Sequence, residues 1–213
     1  MLIQGAVGAL PSTRQVSGNP TVLSGTFGEL LESRLLPDYY TLLKSGKVFT
    51  SSVVAANPAA FTGGAAGTPL IGLYNPVGSG VDLVLLEVAV AIRTTGTAAV
   101  GIDFNHWGVN QGGVAVTGTA TAPRNLYSLA ATGSAATAMV NVVNTAALAS
   151  AVIRPSVSVG TTTVTPTLNL GLFRDEIKGG IVVAPGCYYA FGSVVAPTAA
   201  SIDSAVIWAE IPA

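Results

Sequence analysis

A side-chain alternation with a period of two runs through residues 84–104 and restricts what this chain can fold into. Large apolar residues occupy the even positions of its first half, namely Val84, Leu86, Val88, Val90 and Ile92. After a turn at Thr94–Thr97 the even positions continue with Ala98, Val100, Ile102 and Phe104. This period is typical of strands that turn one face to a core. At ~3.3 Å per residue, Val81–Arg93 spans about 40 Å, which predicts a sizeable sandwich or barrel.

Charge is scarce along the chain. Only 9% of the residues are charged and the formal net charge is −1, whereas an average domain has about 25% charged residues. The nine basic residues are spread out, so the sequence predicts no binding to nucleic acid or to a membrane surface. The longest apolar run, Leu83–Ile92, contains Glu87 and is too short to cross a bilayer.

A chain so poor in charge must cover much of its apolar surface. We expect a large interface with neighbouring subunits, because monomers rarely expose extended apolar patches. The alternative is a surface of Thr, Ser, Asn and Gly, which water solvates without charge.

The sequence pattern of residues 1–46 predicts an arm that carries one short helix. Residues 1–25 are rich in Gly, Ser, Thr and Pro, Thr26–Glu29 has the spacing of a capping box, and Pro37 ends the helical pattern. The candidate contact residues of this arm are apolar or aromatic: Phe27, Leu30, Leu31, Leu35, Tyr39 and Tyr40. A helix this short is marginal alone in water. It therefore either packs on the chain's own sheet or docks on a neighbour, and the sequence leaves both open.

Residues 47–213 predict a single β domain. Its strand candidates include Val48–Val54, Met139–Val143, Ala151–Val159, Cys187–Val195 and Ile202–Ile211. Thr161–Phe173 alternates over its second half and predicts another strand, with Leu168, Leu170 and Leu172 on one face, and Arg174–Gly180 is expected to turn the chain. Many short strands with almost no helix favour an antiparallel β-sandwich or jelly roll.

Residues that could carry chemistry are few. His106 is the only histidine, Cys187 is the only cysteine, and no Gly-x-Ser-x-Gly elbow is present. His106 follows Phe104 on one face of a strand, which indicates a residue at the core edge, and Cys187 is expected to be a small buried hydrophobe. Asp175 and Glu176 are expected in a solvated turn. The sequence therefore predicts no catalytic residue, no metal site and no cofactor.

Several spaced phrases resemble those of small β-rich virion proteins that tailed phages carry, mostly in their head gene clusters. They are turn and strand phrases rather than catalytic signatures: Tyr39-Tyr40 with Gly46–Thr50, Gly72–Gly80 running into Leu83–Leu86, Phe173–Asp175, Gly179-Gly180 and Val183–Gly186.

The resemblance implies a head-decoration or cement protein of β-sandwich type. Such a protein is often trimeric, binds the major capsid protein on the capsid exterior and is made in the host cytoplasm. Its action would be mechanical, because repeated weak contacts that bridge capsid subunits add up over a shell.

Two alternatives stay open at this stage. A trimeric receptor-binding knob of a tail fibre or spike uses a similar sandwich, although residues 1–46 show no heptad stalk. A lectin-like jelly roll would need exposed tryptophans, whereas Trp107 and Trp208 both lie within strand patterns that favour packing.

Overall fold

The computed structural model describes residues 39–56, 60–61, 69–94, 100–110, 116–131, 133–143, 151–161, 172–196 and 201–213. The chain divides into two units, Met1–Tyr40 and Thr41–Ala213. The sheets described below belong to the second unit. The predicted boundary between arm and β domain, at residue 46, stays a prediction.

One short helix and twelve strands make up the regular structure of the described residues. In chain order they are α1 (Tyr40–Lys44), β1 (Val48–Ala56), β2 (Ile71–Tyr74), β3 (Val81–Thr94), β4 (Val100–Asn110), β5 (Thr117–Thr121), β6 (Arg124–Asn125), β7 (Thr137–Val143), β8 (Ala151–Thr161), β9 (Leu172–Glu176), β10 (Val182–Val183), β11 (Cys187–Ser193) and β12 (Ser201–Pro212).

The strands form two antiparallel sheets that pack against each other. Sheet I has the order β10-β3-β12-β1-β6, and β9 also pairs with β3. Sheet II has the order β5-β7-β2-β11-β4-β8. Every strand pair described is antiparallel, although the paired strands are distant in the chain.

The strand order is that of a jelly roll. If β5–β7 are treated as an insertion and β9 and β10 as one interrupted strand, eight strands remain in chain order. Sheet I then contains the first, eighth, third and sixth strands as neighbours, and sheet II the second, seventh, fourth and fifth. This is the double Greek-key arrangement. The predicted antiparallel sandwich of jelly-roll type is confirmed.

The long strand β3 does not keep one face to the core along its whole length. In the second half of β3, Val88, Val90 and Ile92 are buried as the sequence predicts. At the start of the strand the pattern is reversed, because Leu83 and Leu85 are buried while Val84 is only half-buried. The pairing with β12 shifts register here, because Ile207 lies opposite Glu87 and Trp208 opposite Leu85. Leu86 is the extra residue of a β-bulge, and a bulge reverses which parity faces inward. The predicted inward position of Val84 is therefore wrong.

This bulge gives a test that separates the structure from the sequence pattern. Leu85→Asp is expected to destabilise the fold by more than about 4 kcal/mol, because it places a charge at a fully buried site. Val84→Asp is expected to cost about 1–2 kcal/mol, since Val84 lies at the half-buried outer face beside Gly179. Urea unfolding of the two variants measures the difference. Equal losses would contradict the bulge.

Two apolar clusters stabilise the sandwich. The main core lies between the sheets and contains the aromatic residues Phe49, Phe104, Tyr189, Phe191 and Trp208 among aliphatic neighbours. A second cluster contains Phe61, Tyr74, Trp107, Val116, Tyr188 and Ala190. Trp107 and Trp208 are both buried, which confirms that they serve packing. Cys187, expected to be a small buried hydrophobe, is half-buried and packs against the main core.

A buried asparagine ties the turn before β3 to the rest of sheet I. The Asn75 side-chain amide donates to the carbonyls of Val81 and Val183, at 2.8 Å each. Its backbone N–H donates to the Cys187 carbonyl and its own carbonyl accepts from Gly186 N–H. Two of the phrases that carry the resemblance, Gly72–Gly80 and Val183–Gly186, therefore meet in space.

The remaining strand predictions agree with the structure to within a few residues at each end. The five strand candidates named above correspond to β1, β7, β8, β11 and β12. The helix expected near Phe27–Leu35 lies outside the described residues. The helix that the structure describes, α1, follows it in the chain and has five residues.

Candidate functional site

The residues predicted as arm contacts are only partly described. Phe27, Leu30, Leu31 and Leu35 lie outside the described residues. Tyr39 adopts a left-handed backbone conformation with φ of 64°. Tyr40 is the first residue of α1 and its side chain is 38% exposed.

The largest cluster of interacting polar side chains among the described residues centres on His106. This residue lies on the inward face of β4, in step with Ile102 and Phe104, and is fully buried rather than at the core edge as predicted. Its Nε2 lies 2.9 Å from Asp175 Oδ2, and its Nδ1 lies 2.7 Å from the Tyr189 hydroxyl. Asp175 comes from β9 in sheet I, whereas His106 and Tyr189 belong to sheet II. The cluster therefore joins the two sheets.

Two further side chains, Arg154 and Ser156 of β8, join the cluster. Together with His106, Asp175 and Tyr189 they are called the inter-sheet link, or the link, below. Arg154 Nη2 donates to Asp175 Oδ1 at 2.5 Å, and Ser156 Oγ donates to Asp175 Oδ2 at 2.8 Å. Asp175 thus accepts from three donors, all of which belong to sheet II. Hydrogen bonds to a charged acceptor are stronger than those between neutral groups.

The hydrogen bonds of the link define the tautomer of His106. An ionised Asp175 can only accept, so Nε2 of His106 carries the proton and Nδ1 accepts from the Tyr189 hydroxyl. Burial, assisted by the positive charge of Arg154, lowers the pKa of His106 more than the hydrogen bond and negative charge of Asp175 raise it. The ring is therefore held neutral.

Asp175 and Tyr189 are held in the matching protonation states. Burial alone would raise the pKa of Asp175, but the hydrogen bonds from His106, Ser156 and Arg154 outweigh it, and that pKa lies below its ordinary value. Burial raises the pKa of Tyr189 well above its ordinary value, so this phenol keeps its proton.

This arrangement suits a structural link better than an acid–base catalyst. Both ring nitrogens of His106 have partners within the protein, and the ring has no exposed surface. A general base must reach the proton it removes. What the cluster can do is hold β9 against sheet II and respond to acid.

A cavity of about 400 Å³ lies beside the link, between the β8 and β9 ends of the two sheets. Its apolar wall is formed by residues of both sheets, namely Val88, Val90, Val157, Phe173 and Phe191. Arg154, Ser156, Arg174 and Asp175 supply its polar groups. Arg174 is also paired with Glu87 at 2.6 Å, and Arg154 Nε is buried without a partner. A hydrogen-bond acceptor placed in the cavity could therefore pair with the Arg154 Nε–H.

Sequence reasoning missed most of the link. Asp175 was expected in a solvated turn, but β9 continues through Glu176 and directs Asp175 inward, while Glu176 pairs with Lys178 at 2.8 Å on the other face. The expected apolar face of this segment is also wrong, because Leu172 is 73% exposed and Phe173 is half-buried. One signal was available in the sequence: Phe173 and Asp175 are two positions apart, so on a strand their side chains face the same side of the sheet.

A second buried carboxylate anchors a loop. Glu210 on β12 is 4% exposed and accepts from Ser134 Oγ at 2.6 Å, from the backbone N–H of Ala135 at 3.0 Å and from Trp208 Nε1 at 3.3 Å. These bonds hold the segment before β7 against the end of sheet I. Its role is structural, and no motif in the sequence indicated it.

The described ranges contain neither a metal-binding cluster nor a membrane-spanning helix. No three His, Cys, Asp or Glu side chains there come together in a way that could hold a metal ion. No helix of that part of the chain has the length and apolar character to cross a membrane.

Comparisons of the chain with protein-family models, with curated proteins and with solved structures found no match. The resemblance to phage head proteins therefore stays a prediction.

Proposed function

We propose that this chain is a structural virion protein that decorates a tailed-phage capsid and stabilises it by bridging neighbouring capsid subunits. Its partners would be the major capsid protein and further copies of itself, on the outer surface of the shell. The proposal includes no catalytic step.

The observation that carries this proposal is the exposure of large aliphatic side chains on strands at one side of the sandwich. Val152 and Ile153 on β8, Leu172 on β9 and Val182 on β10 are each about half exposed or more. Among the described strands, β8 is the last in sheet II, and β9 and β10 pair with β3 at the end of sheet I. Edge strands that expose large apolar side chains associate readily with other chains.

The ion pairs of the sandwich also support the proposed structural role. Arg93 pairs with Asp203, Arg154 with Asp175, and Arg174 with Glu87, so the described arginines of β3, β8 and β9 are engaged within the chain. The jelly-roll fold is also used by viral capsid proteins, although it hosts lectins and enzymes as well. The fold is therefore compatible with the proposal and does not carry it.

Quantification of the protein in purified virions tests the proposal. A cement protein is expected in many copies that match the capsid lattice, and it should bind expanded shells more tightly than unexpanded ones. A handful of copies at the tail would instead favour the receptor-binding knob. Absence from the virion would contradict both.

Removal of residues 1–25 tests the predicted arm. We expect the truncated chain to keep its β domain, because this segment has no apolar periodicity. It should attach less tightly to the capsid, which co-sedimentation with shells measures. Loss of the β-type circular dichroism spectrum would show that the segment belongs to the core.

A further inference from the structure

A rigid loop protrudes from the β6 edge of sheet I. This loop, residues 125–130, is called the knob below. Its six consecutive backbone N–H groups all have acceptors. Those of residues 125, 126 and 129 donate to backbone carbonyls. Those of residues 127 and 128 donate to Asn125 Oδ1, and that of residue 130 donates to Ser128 Oγ. The Asn125 amide also donates to the Gly46 carbonyl at 2.6 Å. A short loop with every N–H bonded is held in one conformation.

The knob presents two large apolar side chains to solvent. Tyr127 is 57% exposed and Leu129 is 66% exposed. Leu129 has a φ of 59°, a left-handed conformation that costs a residue with a side chain about 1–2 kcal/mol. Lys44 Nζ lies 5.3 Å from the centre of the Tyr127 ring. The tip is therefore apolar, with a phenolic donor and a cation beside it.

A shallow groove of about 370 Å³ crosses the outer face of the same sheet. Its centre is made of Ala89, Ala91 and Ala205, and the exposed side chains of Val54 and Leu172 line it as well. Ala89 is paired with Ala205 across β3 and β12, so the small side chains lie together. The volume equals that of about a dozen water molecules at roughly 30 Å³ each, which is more than one side chain needs.

One polar atom at this alanine groove has no hydrogen-bond partner. Asp203 Oδ1 is buried and unpaired, while its Oδ2 is paired at 2.6 Å with Arg93, which also lines the groove. A buried acceptor without a donor is costly and points to a missing partner.

Knob and groove are complementary in polarity and hydrogen bonding. The knob has an apolar tip and brings a phenolic O–H and the Lys44 ammonium. The groove is largely apolar and has, beside its Arg93–Asp203 ion pair, a carboxylate oxygen without a donor. Tyr127 and Leu129 are exposed in the single chain, so its own groove does not cover them. We propose that copies of this chain associate head to tail, with the 125–130 knob of one copy seated in the alanine groove of the next.

Such a contact uses two different surfaces, so it closes into a ring or extends as a chain of subunits. It does not depend on the virion role, because it concerns only the purified protein. Its failure would leave the capsid proposal standing.

Sedimentation velocity of the full chain tests the contact. We expect the wild type to self-associate and Leu129→Asn to weaken association about ten- to a hundredfold, since Asn tolerates the left-handed backbone but removes the apolar contact. Ala91→Arg should weaken it similarly by filling the groove. Val77→Asn is the matched control, because Val77 is 64% exposed at the turn before β3 and belongs to neither the knob nor the groove lining. If Leu129→Asn fails to fold by circular dichroism, Tyr127→Ser takes its place.

Mixing the two variants gives the sharpest result. Leu129→Asn keeps an intact groove and Ala91→Arg keeps an intact knob, so an equimolar mixture is expected to form a one-to-one dimer that neither variant forms alone. A wild-type chain that stays monomeric at its highest soluble concentration would overturn the proposal. So would a Leu129→Asn variant that associates like the wild type, or a mixture without the dimer.

Discussion

Val88→Asp is expected to prevent this chain from folding into a soluble native state. Val88 is 1% exposed, lies beyond the bulge of β3 and faces the core between the sheets. An ionised aspartate there would lie opposite the Asp175 carboxylate across β3 and β9, and Arg154 in the adjoining cavity already pairs with Asp175. A buried charge without a counter-ion of its own costs several kcal/mol. The loss should exceed about 4 kcal/mol, a large share of the 5–15 kcal/mol by which a domain is usually stable.

Ala89→Asp is the matched control for this substitution. It introduces the same charge one residue along β3, on the outer face, where Arg174 is the paired neighbour across β9. We expect this variant to fold and to unfold in urea close to the wild type. Soluble yield and circular dichroism measure both. A native-like Val88→Asp protein would contradict the packing of sheet I on sheet II.

Asp175→Ala is expected to destabilise the fold as well, because it removes the acceptor that joins the sheets. His106 Nε2 and Ser156 Oγ would lose their hydrogen-bond acceptor inside the sandwich. Arg154 is 42% exposed, so water can replace its lost partner. Loss of one partner from a largely buried charged network costs about 2–3 kcal/mol after allowance for that exposure. Urea unfolding measures the loss.

Glu176→Ala is the control for Asp175→Ala. This neighbouring carboxylate points to solvent and pairs only with exposed groups such as Lys178, so little change is expected. If both variants lose the same stability, the link contributes nothing beyond an ordinary surface charge.

The link also predicts how stability depends on pH. The pKa of His106 lies below its ordinary 6.5 and the pKa of Asp175 lies below its ordinary 3.8. In each case the unfolded chain binds its proton at a higher pH than the folded chain, so the free energy of unfolding falls as the pH falls. The first decrease begins below about pH 6.5 and ends at the pKa of folded His106. The second begins near pH 3.8 and continues until the pH passes the pKa of folded Asp175.

The single histidine makes this dependence assignable. Because His106 is the only histidine in the chain, His106→Gln should abolish the first decrease while it leaves the second in place. Urea unfolding at a series of pH values measures it. An unchanged slope below pH 6.5 in His106→Gln would show that another group titrates there.

Much of the architecture could be predicted from local pattern. The alternation in β3 and β4 indicated long strands, and the Gly, Pro and Asn positions marked the turns, including the one where Gly78 and Gly80 adopt positive φ. These features depend on neighbouring residues alone. The pattern was insufficient at Leu86, because a bulge is decided by the pairing with β12 rather than by β3 itself.

The sequence by itself determined an antiparallel β-sandwich, since a period of two and the turn residues act within a few positions of each other. Only the tertiary structure decided that Asp175 meets His106, 69 residues away, and that an alanine groove forms across β3 and β12. Such contacts depend on which strands become neighbours across and within the sheets. That choice is made by the packing of the whole core, which no single segment encodes.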